Sequence, residues 1–152
     1  MEKAMFGAGC FWGVETAFRR VPGVKEVTVG YSGGTTDHPT YQDICTHGTG
    51  HAEVALVDFD PGAVTFEQLC EAFFSLHDPT QLDRQGPDVG DQYRSAVFTF
   101  DEAQLQTARA VRDRLDASGR FRDPIVTQIA PAATFWRAED YHQRYIEKHG
   151  GH

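Results

Sequence analysis

Cysteine is scarce in this chain: three in 152 residues, Cys10, Cys45 and Cys70. The count is odd and no two cysteines form a CxxC pair, which excludes a disulfide framework and the paired-thiolate zinc sites of small domains. Each reads as a free thiol in a reducing compartment, reactive only if its surroundings make it so. Positive charge is also short. Lys and Arg number 14 against 22 Asp and Glu, a net charge of -8. Nucleic acid and anionic membrane surfaces are therefore not expected as partners, since both need concentrated positive charge. No apolar run approaches the ~20 residues that span a bilayer, and no signal-peptide pattern precedes the first structured segment. A cytoplasmic protein, monomeric by default, is the expectation. Repeats, low-complexity segments and linker-like stretches are missing too, so residues 1–152 read as one domain with a substantial core.

What is present alternates strands and helices. A strand over residues 3–8 runs straight into a helix from about Cys10 to Arg20. "VKEVTVGY" (Val24 to Tyr31) is rich in β-branched residues and reads as a strand. A long irregular stretch, Ser32 to Gly50, contains one helical turn at "TYQDIC". "HAEVALVDFD" is a strand ended by Asp60-Pro61-Gly62. "TFEQLCEAFFSLH" is a helix, with Thr65 and Gln68 as a capping box and Phe66, Leu69, Cys70, Phe73 and Phe74 on one face. A second long loop, "DPTQLDRQGPDVGDQYR", leads to the strand "SAVFTF", then a helix capped by Asp101, a strand at "IVTQIAP" and a terminal helix at "RAEDYHQRYIEKH". The first six elements run β-α-β-β-α-β. That order specifies an α+β fold, a ferredoxin-like two-layer sandwich with helices on one face, extended by a further helix, strand and helix. Loops beyond ~12–15 residues are uncommon unless functional, and these two hold most of the polar aromatics and several histidines.

The stretch "GAGCFWGVE", Gly7 to Glu15, places a cysteine where strand gives way to helix. Unpaired N–H groups and the macrodipole at a helix start favour a thiolate, so the expectation is a pKa below the usual ~8.5. Gly7 and Gly9 allow a tight turn and close approach of another molecule. Phe11 and Trp12 point about 100° apart on a helix, so at least one should border a cleft. The competing reading makes Cys10 a small buried hydrophobe and both aromatics core.

"GCFWGVE" resembles the signature of the peptide methionine sulfoxide reductase A family, whose cysteine is the nucleophile. "GYSGG", "TGHAEV", "HDPT", "RQGPDVGDQYRS" and "AEDYHQ" are similar to further blocks of that family, in its order, and together they cover nearly the whole chain. The resemblance implies a thiol-dependent oxidoreductase that returns methionine-S-sulfoxide, protein-bound or free, to methionine. Cys10 would attack, and Phe11 and Trp12 would line a slot for the sulfoxide methyl group. Glu53 would be the proton donor, which at neutral pH requires burial or a like charge to raise its pKa from ~4.3. Tyr41 and Tyr93 would donate hydrogen bonds to the sulfoxide oxygen, and Asp88 would help hold substrate and water.

Attack leaves Cys10 as a sulfenic acid. Many relatives then use cysteines in a C-terminal tail, whereas this sequence closes on "IEKHGGH" with none after Cys70. Two routes follow: an external thiol reductant (thioredoxin, glutaredoxin with glutathione, or dithiothreitol), which is favoured, or internal resolution by Cys45, four residues after Tyr41. Cys70 lies on the apolar face of its helix and reads as core. Pro87 replaces a common Asn and Ser32 a common Ala, the latter expected to be neutral. No bound cofactor or metal is expected. Two rivals remain: a zinc-binding hydrolase using Cys45, His47, His51 and Glu53, and a cysteine-based thiol peroxidase, for which the Phe-Trp pair would have no obvious task.

Overall fold

The computed structural model describes residues 2–46 and 48–148. Its elements are β1 (Glu2–Ala8), α1 (Phe11–Arg19), β2 (Val24–Ser32), α2 (Tyr41–Cys45), β3 (Ala52–Phe59), α3 (Phe66–Leu76), β4 (Arg84–Gln85), β5 (Asp88–Val89), β6 (Ser95–Thr99), α4 (Glu102–Ala117), β7 (Gln128–Pro131), β8 (Trp136–Arg137) and α5 (Tyr145–Lys148). Two short 3-10 helices, Asp91–Tyr93 and Asp140–His142, complete the set.

The main sheet has the order β7-β6-β1-β3-β2-β8. Its inner four strands are antiparallel neighbours, the arrangement expected from the β-α-β-β-α-β order. β7 adds in parallel beside β6, and β8 adds antiparallel beside β2. Strand alternation sorts the side chains. Ala4, Phe6, Ala55, Val57, Phe59 and Val97 face α1, α3 and α4, where they meet Phe18, Leu69, Phe73 and Ala108 in the principal core. Phe6 is its centre, with Phe18 and Phe73 stacked at ring separations of 4.9 and 5.1 Å. Fully burying such a ring contributes ~1.5–3 kcal/mol. The opposite face, carrying Met5, Val54, Ala96 and Phe98, is covered by Ala132 and Phe135 of the segment after β7.

The caps are as expected. Thr65 and Gln68 form a reciprocal capping box, and Asp101 accepts from the Gln104 backbone N–H. Thr40 and Asp43 form a second box that starts α2. Among the described residues no helix is long and apolar enough to cross a membrane.

Three expectations need correction. The terminal "RAEDYHQRYIEKH" is not one helix: it divides into β8, a 3-10 turn and the four-residue α5. Its polar side chains bond to distant backbone instead. The Gln143 amide accepts from Val29 N–H at 2.9 Å and donates to Val29 C=O at 2.9 Å, occupying a site on β2 where another strand's backbone would lie. The second long loop is partly ordered by the β4–β5 pairing and the 3-10 turn. Ser32 is not idle, because its buried hydroxyl donates to Thr134 C=O at 2.8 Å and ties the covering segment to β2.

Candidate active site

Glu53 continues the inward row of Ala55 and Val57 at the start of β3, beyond the end of the apolar core. There it meets the first turn of α1. Its Oε1 accepts from the Phe11 backbone N–H at 3.2 Å, while its Oε2 is buried without a hydrogen-bond partner. The residue is 1% exposed. Burial is the main cause that pushes its carboxyl up to about 8; the charge of Asp88 adds to this and the Phe11 N–H opposes it. At neutral pH the group therefore carries a proton.

Cys10 occupies the N-cap of α1 and is half-buried. Gly9 makes the preceding turn at φ +92°, and a Cβ there would lie 2.9 Å from the Gln85 side chain, so the turn requires glycine. The expected acidic thiol is not what the surroundings produce. The N–H groups of Trp12 and Gly13 do lower its pKa, but burial outweighs them and, with Glu53 and Asp88 nearby, pushes it up to about 11. Desolvation of the thiolate exceeds what two backbone dipoles return.

Tyr41 opens α2, and Tyr93 ends the 3-10 turn after β5; both are half-buried. Burial pushes Tyr93 up to about 12, helped by Glu53, Cys45, Asp88 and Cys10. Tyr41 is raised by burial, then by a hydrogen bond with Cys45 and the charge of Glu53. Both phenols remain donors at any physiological pH. Asp88, on β5, is half-buried and acts electrostatically on Cys10, Glu53 and Tyr93. The two long loops thus bring Tyr41, Asp88 and Tyr93 to the Cys10–Glu53 corner.

Phe11 is fully buried, packed on Tyr31 and His142 at ring separations of 5.7 and 5.2 Å. Trp12, half-buried, is the member of the pair that reaches the surface. Its Nε1–H donates to His142 Nδ1 at 3.0 Å, and its ring stacks on Tyr145 at 3.8 Å. Cys45 is exposed at the end of α2, and Cys70 is buried in the principal core.

Sequence reasoning assigned nothing to Tyr31, Glu139, His142 or Tyr145. The Tyr31 hydroxyl donates to Glu139 Oε1 at 2.9 Å, and Glu139 Oε2 accepts from Tyr41 N–H at 3.0 Å, which seats α2 on β2. The blocks "GYSGG" and "AEDYHQ" were the available signals for Tyr31, Glu139 and His142. Conversely, His77 of "HDPT" is structural: Nδ1–H donates to Phe73 C=O, Nε2 accepts from Ser95, and burial lowers its pKa to about 4.

Among the described residues no group of three or more His, Cys, Asp or Glu is placed to hold a metal ion. His51 has both ring nitrogens engaged, Nδ1 accepting from Gly34 N–H and Nε2 bonded to Thr36 C=O, and these bonds close the first long loop. Gly34 is needed there, since a Cβ would lie 2.3 Å from the backbone at His51 and Thr49. His47 lies outside the described residues. The hydrolase reading is not favoured.

Known proteins share this sequence pattern and fold. The family model described as peptide methionine sulfoxide reductase matches residues 2–152. The peptide methionine sulfoxide reductase MsrA of Acidobacterium capsulatum is 63% identical over 150 residues, covering 99% of this chain and 96% of that protein. Methionine sulfoxide reductase A of Corynebacterium diphtheriae superposes with a TM-score of 0.89 at 42% identity, over 98% of this chain and 75% of that one. Reduced Mxr1 of Saccharomyces cerevisiae does so at 0.92 and 34%, over 98% of this chain and 86% of that one. Mxr1 in complex with Trx2 matches at 0.68 and 25%, over 95% and 84%. With 63% identity to a relative over 99% of the chain, a family model that matches residues 2–152 and the same overall fold, the chain belongs to the peptide methionine sulfoxide reductase family.

Proposed function

We propose that this protein reduces methionine-S-sulfoxide, free or in oxidised proteins, to methionine, with Cys10 as nucleophile and Glu53 as acid, residues 1–152 acting as one catalytic domain. The observation that carries the assignment is Glu53 itself: a carboxyl whose burial raises its pKa to about 8, with one oxygen unpartnered beside a half-buried thiol. A sulfoxide is neutral and its oxygen is a strong acceptor, so such an acid can protonate the oxygen where a carboxylate would repel it. Tyr41 and Tyr93 donate to the same oxygen, Asp88 helps hold substrate and water, and Trp12 forms the apolar wall for the methyl group, with the fully buried Phe11 packed beneath the site on Tyr31 and His142.

The step balances without a cofactor. The Cys10 sulfur attacks the sulfoxide sulfur, forming an S–S bond as the Glu53 proton passes to oxygen. The hydroxyl then transfers to the Cys10 sulfur as the substrate S–O bond and the S–S bond break, leaving Cys10 as a sulfenic acid and releasing methionine. The thiol proton returns to Glu53. Cys10 is oxidised by two electrons and the sulfoxide sulfur is reduced by two. An external dithiol such as thioredoxin restores Cys10, a role supported by the solved complex of Mxr1 with Trx2; glutaredoxin with glutathione is the alternative donor. Resolution by Cys45 is the second reading, favoured only by its place on α2, four residues after Tyr41, with an exposed thiol.

A single turnover tests this. Reduced protein stripped of thiols is mixed with excess methionine-S-sulfoxide, and methionine formed and thiols lost are counted. One methionine and one lost thiol per chain is the expected result. Two lost thiols transfer resolution to Cys45. Equal product from Cys10→Ser would overturn the mechanism.

A further inference from the structure

We propose that His142 is the positioning residue for Trp12, holding the indole by its Nε1–H so that its ring forms a fixed wall of the methyl slot. This rests on the reading that Trp12 lines that slot.

An indole N–H is only a donor. At 3.0 Å from Trp12 Nε1, His142 Nδ1 must therefore accept, and the ring proton resides on Nε2. The imidazole is thus neutral, in agreement with a pKa lowered by burial. That Nε2 is itself buried without a partner. A buried N–H left unpaired costs ~1–3 kcal/mol, so stability alone would favour an apolar residue in this position. The side-chain hydrogen bond this costly ring does make among the described residues is the one to Trp12.

The geometry around the bond is that of a clamp. Stacking on Tyr145, with planes 11° apart, sets the tilt of the indole. The His142 bond sets its rotation within that plane. Both contacts come from the segment after β8, and this segment is anchored by the two residues between them. Gln143 is bonded to both backbone groups of Val29 and to Ala138 C=O. Arg144 N–H donates to both carboxylate oxygens of Glu15, at 2.8 and 3.0 Å. Glu15 is buried and lies on α1, three residues after Trp12. The helix that presents the indole thus also holds the strap that fixes it. His142 is in turn boxed by the rings of Phe11, Tyr41 and Tyr141 at 5.2, 4.5 and 4.1 Å, so it cannot swing to follow a moving Trp12.

A fixed wall matters because one methylene in an apolar pocket changes kcat/KM by ~10–200-fold. The test is the preference for methionine-S-sulfoxide over its S-ethyl homologue, measured in wild type, Trp12→Phe, His142→Asn, His142→Gln and His142→Leu. Asn keeps an acceptor near the Nδ1 position; Gln moves it one methylene away; Leu removes it while filling the space. The two tryptophans give two indole N–H signals in a nitrogen-15 spectrum, distinguished by Trp12→Phe. The expected result is a methyl preference reduced to within about threefold in the Gln and Leu variants, with KM for the methyl substrate up ~10-fold and the Trp12 signal shifted. His142→Asn restores both preference and signal. An unmoved Trp12 signal in both variants overturns the hydrogen bond. A shifted signal with the methyl preference intact overturns the positioning role. If Trp12→Phe alone keeps the full preference, the slot assignment fails first and is seen to fail independently of His142.

Discussion

Glu53 and Cys10 are two acids in one poorly solvated corner, and each is held protonated by the same cause, the cost of charge without water. Two predictions follow from the carboxyl. Turnover should fall as pH rises through about 8, where Glu53 loses its proton, and Glu53→Gln should lose ~10²–10⁴-fold in rate. Stability should fall in the same direction, beginning at lower pH. The folded-state pKa lies above the unfolded value, so the folded chain binds an extra proton between the ordinary carboxyl value of 4.5 and about 8. Wild type then loses stability as pH rises through that window, whereas Glu53→Gln, which can still accept from Phe11 N–H, does not. The variant should be the more stable protein by a few kcal/mol above pH ~8, the gain vanishing below pH ~4.5, as read from urea midpoints across pH. Glu53 was legible in sequence as a candidate because "TGHAEV" resembles a block of the family, but its proton was not. That depends on burial and on Asp88, 35 residues away. The same reason explains the error over Cys10: a helix start is visible in sequence, whereas the desolvation that overrides it is not. The three thiols give a third prediction. Iodoacetamide at neutral pH should label exposed Cys45 first and half-buried, protonated Cys10 more slowly. It should reach Cys70 only after unfolding, as peptide mass mapping would show.

The strands and long helices follow from periodicity and capping residues that lie within a few positions of one another. Thr65 and Gln68 satisfy each other's backbone N–H groups at the start of α3, and Thr40 and Asp43 do the same for α2. Their consequences should differ. Thr65→Ala should cost ~0.5–2 kcal/mol and lower Tm by ~2–4 °C per kcal/mol with turnover unchanged, because α3 supports the core. Thr40→Ala should lower turnover more than Tm, because the five-residue α2 carries Tyr41 into the site. A melt and a rate measurement on each variant separate the two. The terminal segment shows where local signals stop. "RAEDYHQRYIEKH" has helix-forming composition, yet Glu139, His142 and Gln143 bond to Tyr41, Trp12 and Val29, 98, 130 and 114 residues away. No window of neighbouring residues contains those partners.

The whole molecule is an oxidoreductase of the peptide methionine sulfoxide reductase family. The order β6-β1-β3-β2 at the centre of the sheet sets the first turn of α1 against the start of β3. That places Cys10 beside Glu53 across 43 residues of chain. Thiol reductant should restore full turnover after the single oxidation, and Cys45→Ser should turn over as wild type does with thioredoxin, as a coupled assay would measure. The sequence by itself determined the elements with strong periodicity, their order and hence the sheet, and, through resemblance, the residues that meet at the site. Those properties reside in local patterns and in the types of side chain that chemistry requires. Only the tertiary structure decided the protonation of Cys10 and Glu53, the break-up of the terminal helix and the clamp on Trp12. Each depends on dielectric surroundings or hydrogen bonds between residues distant in the chain, and these exist only once the chain has closed around them.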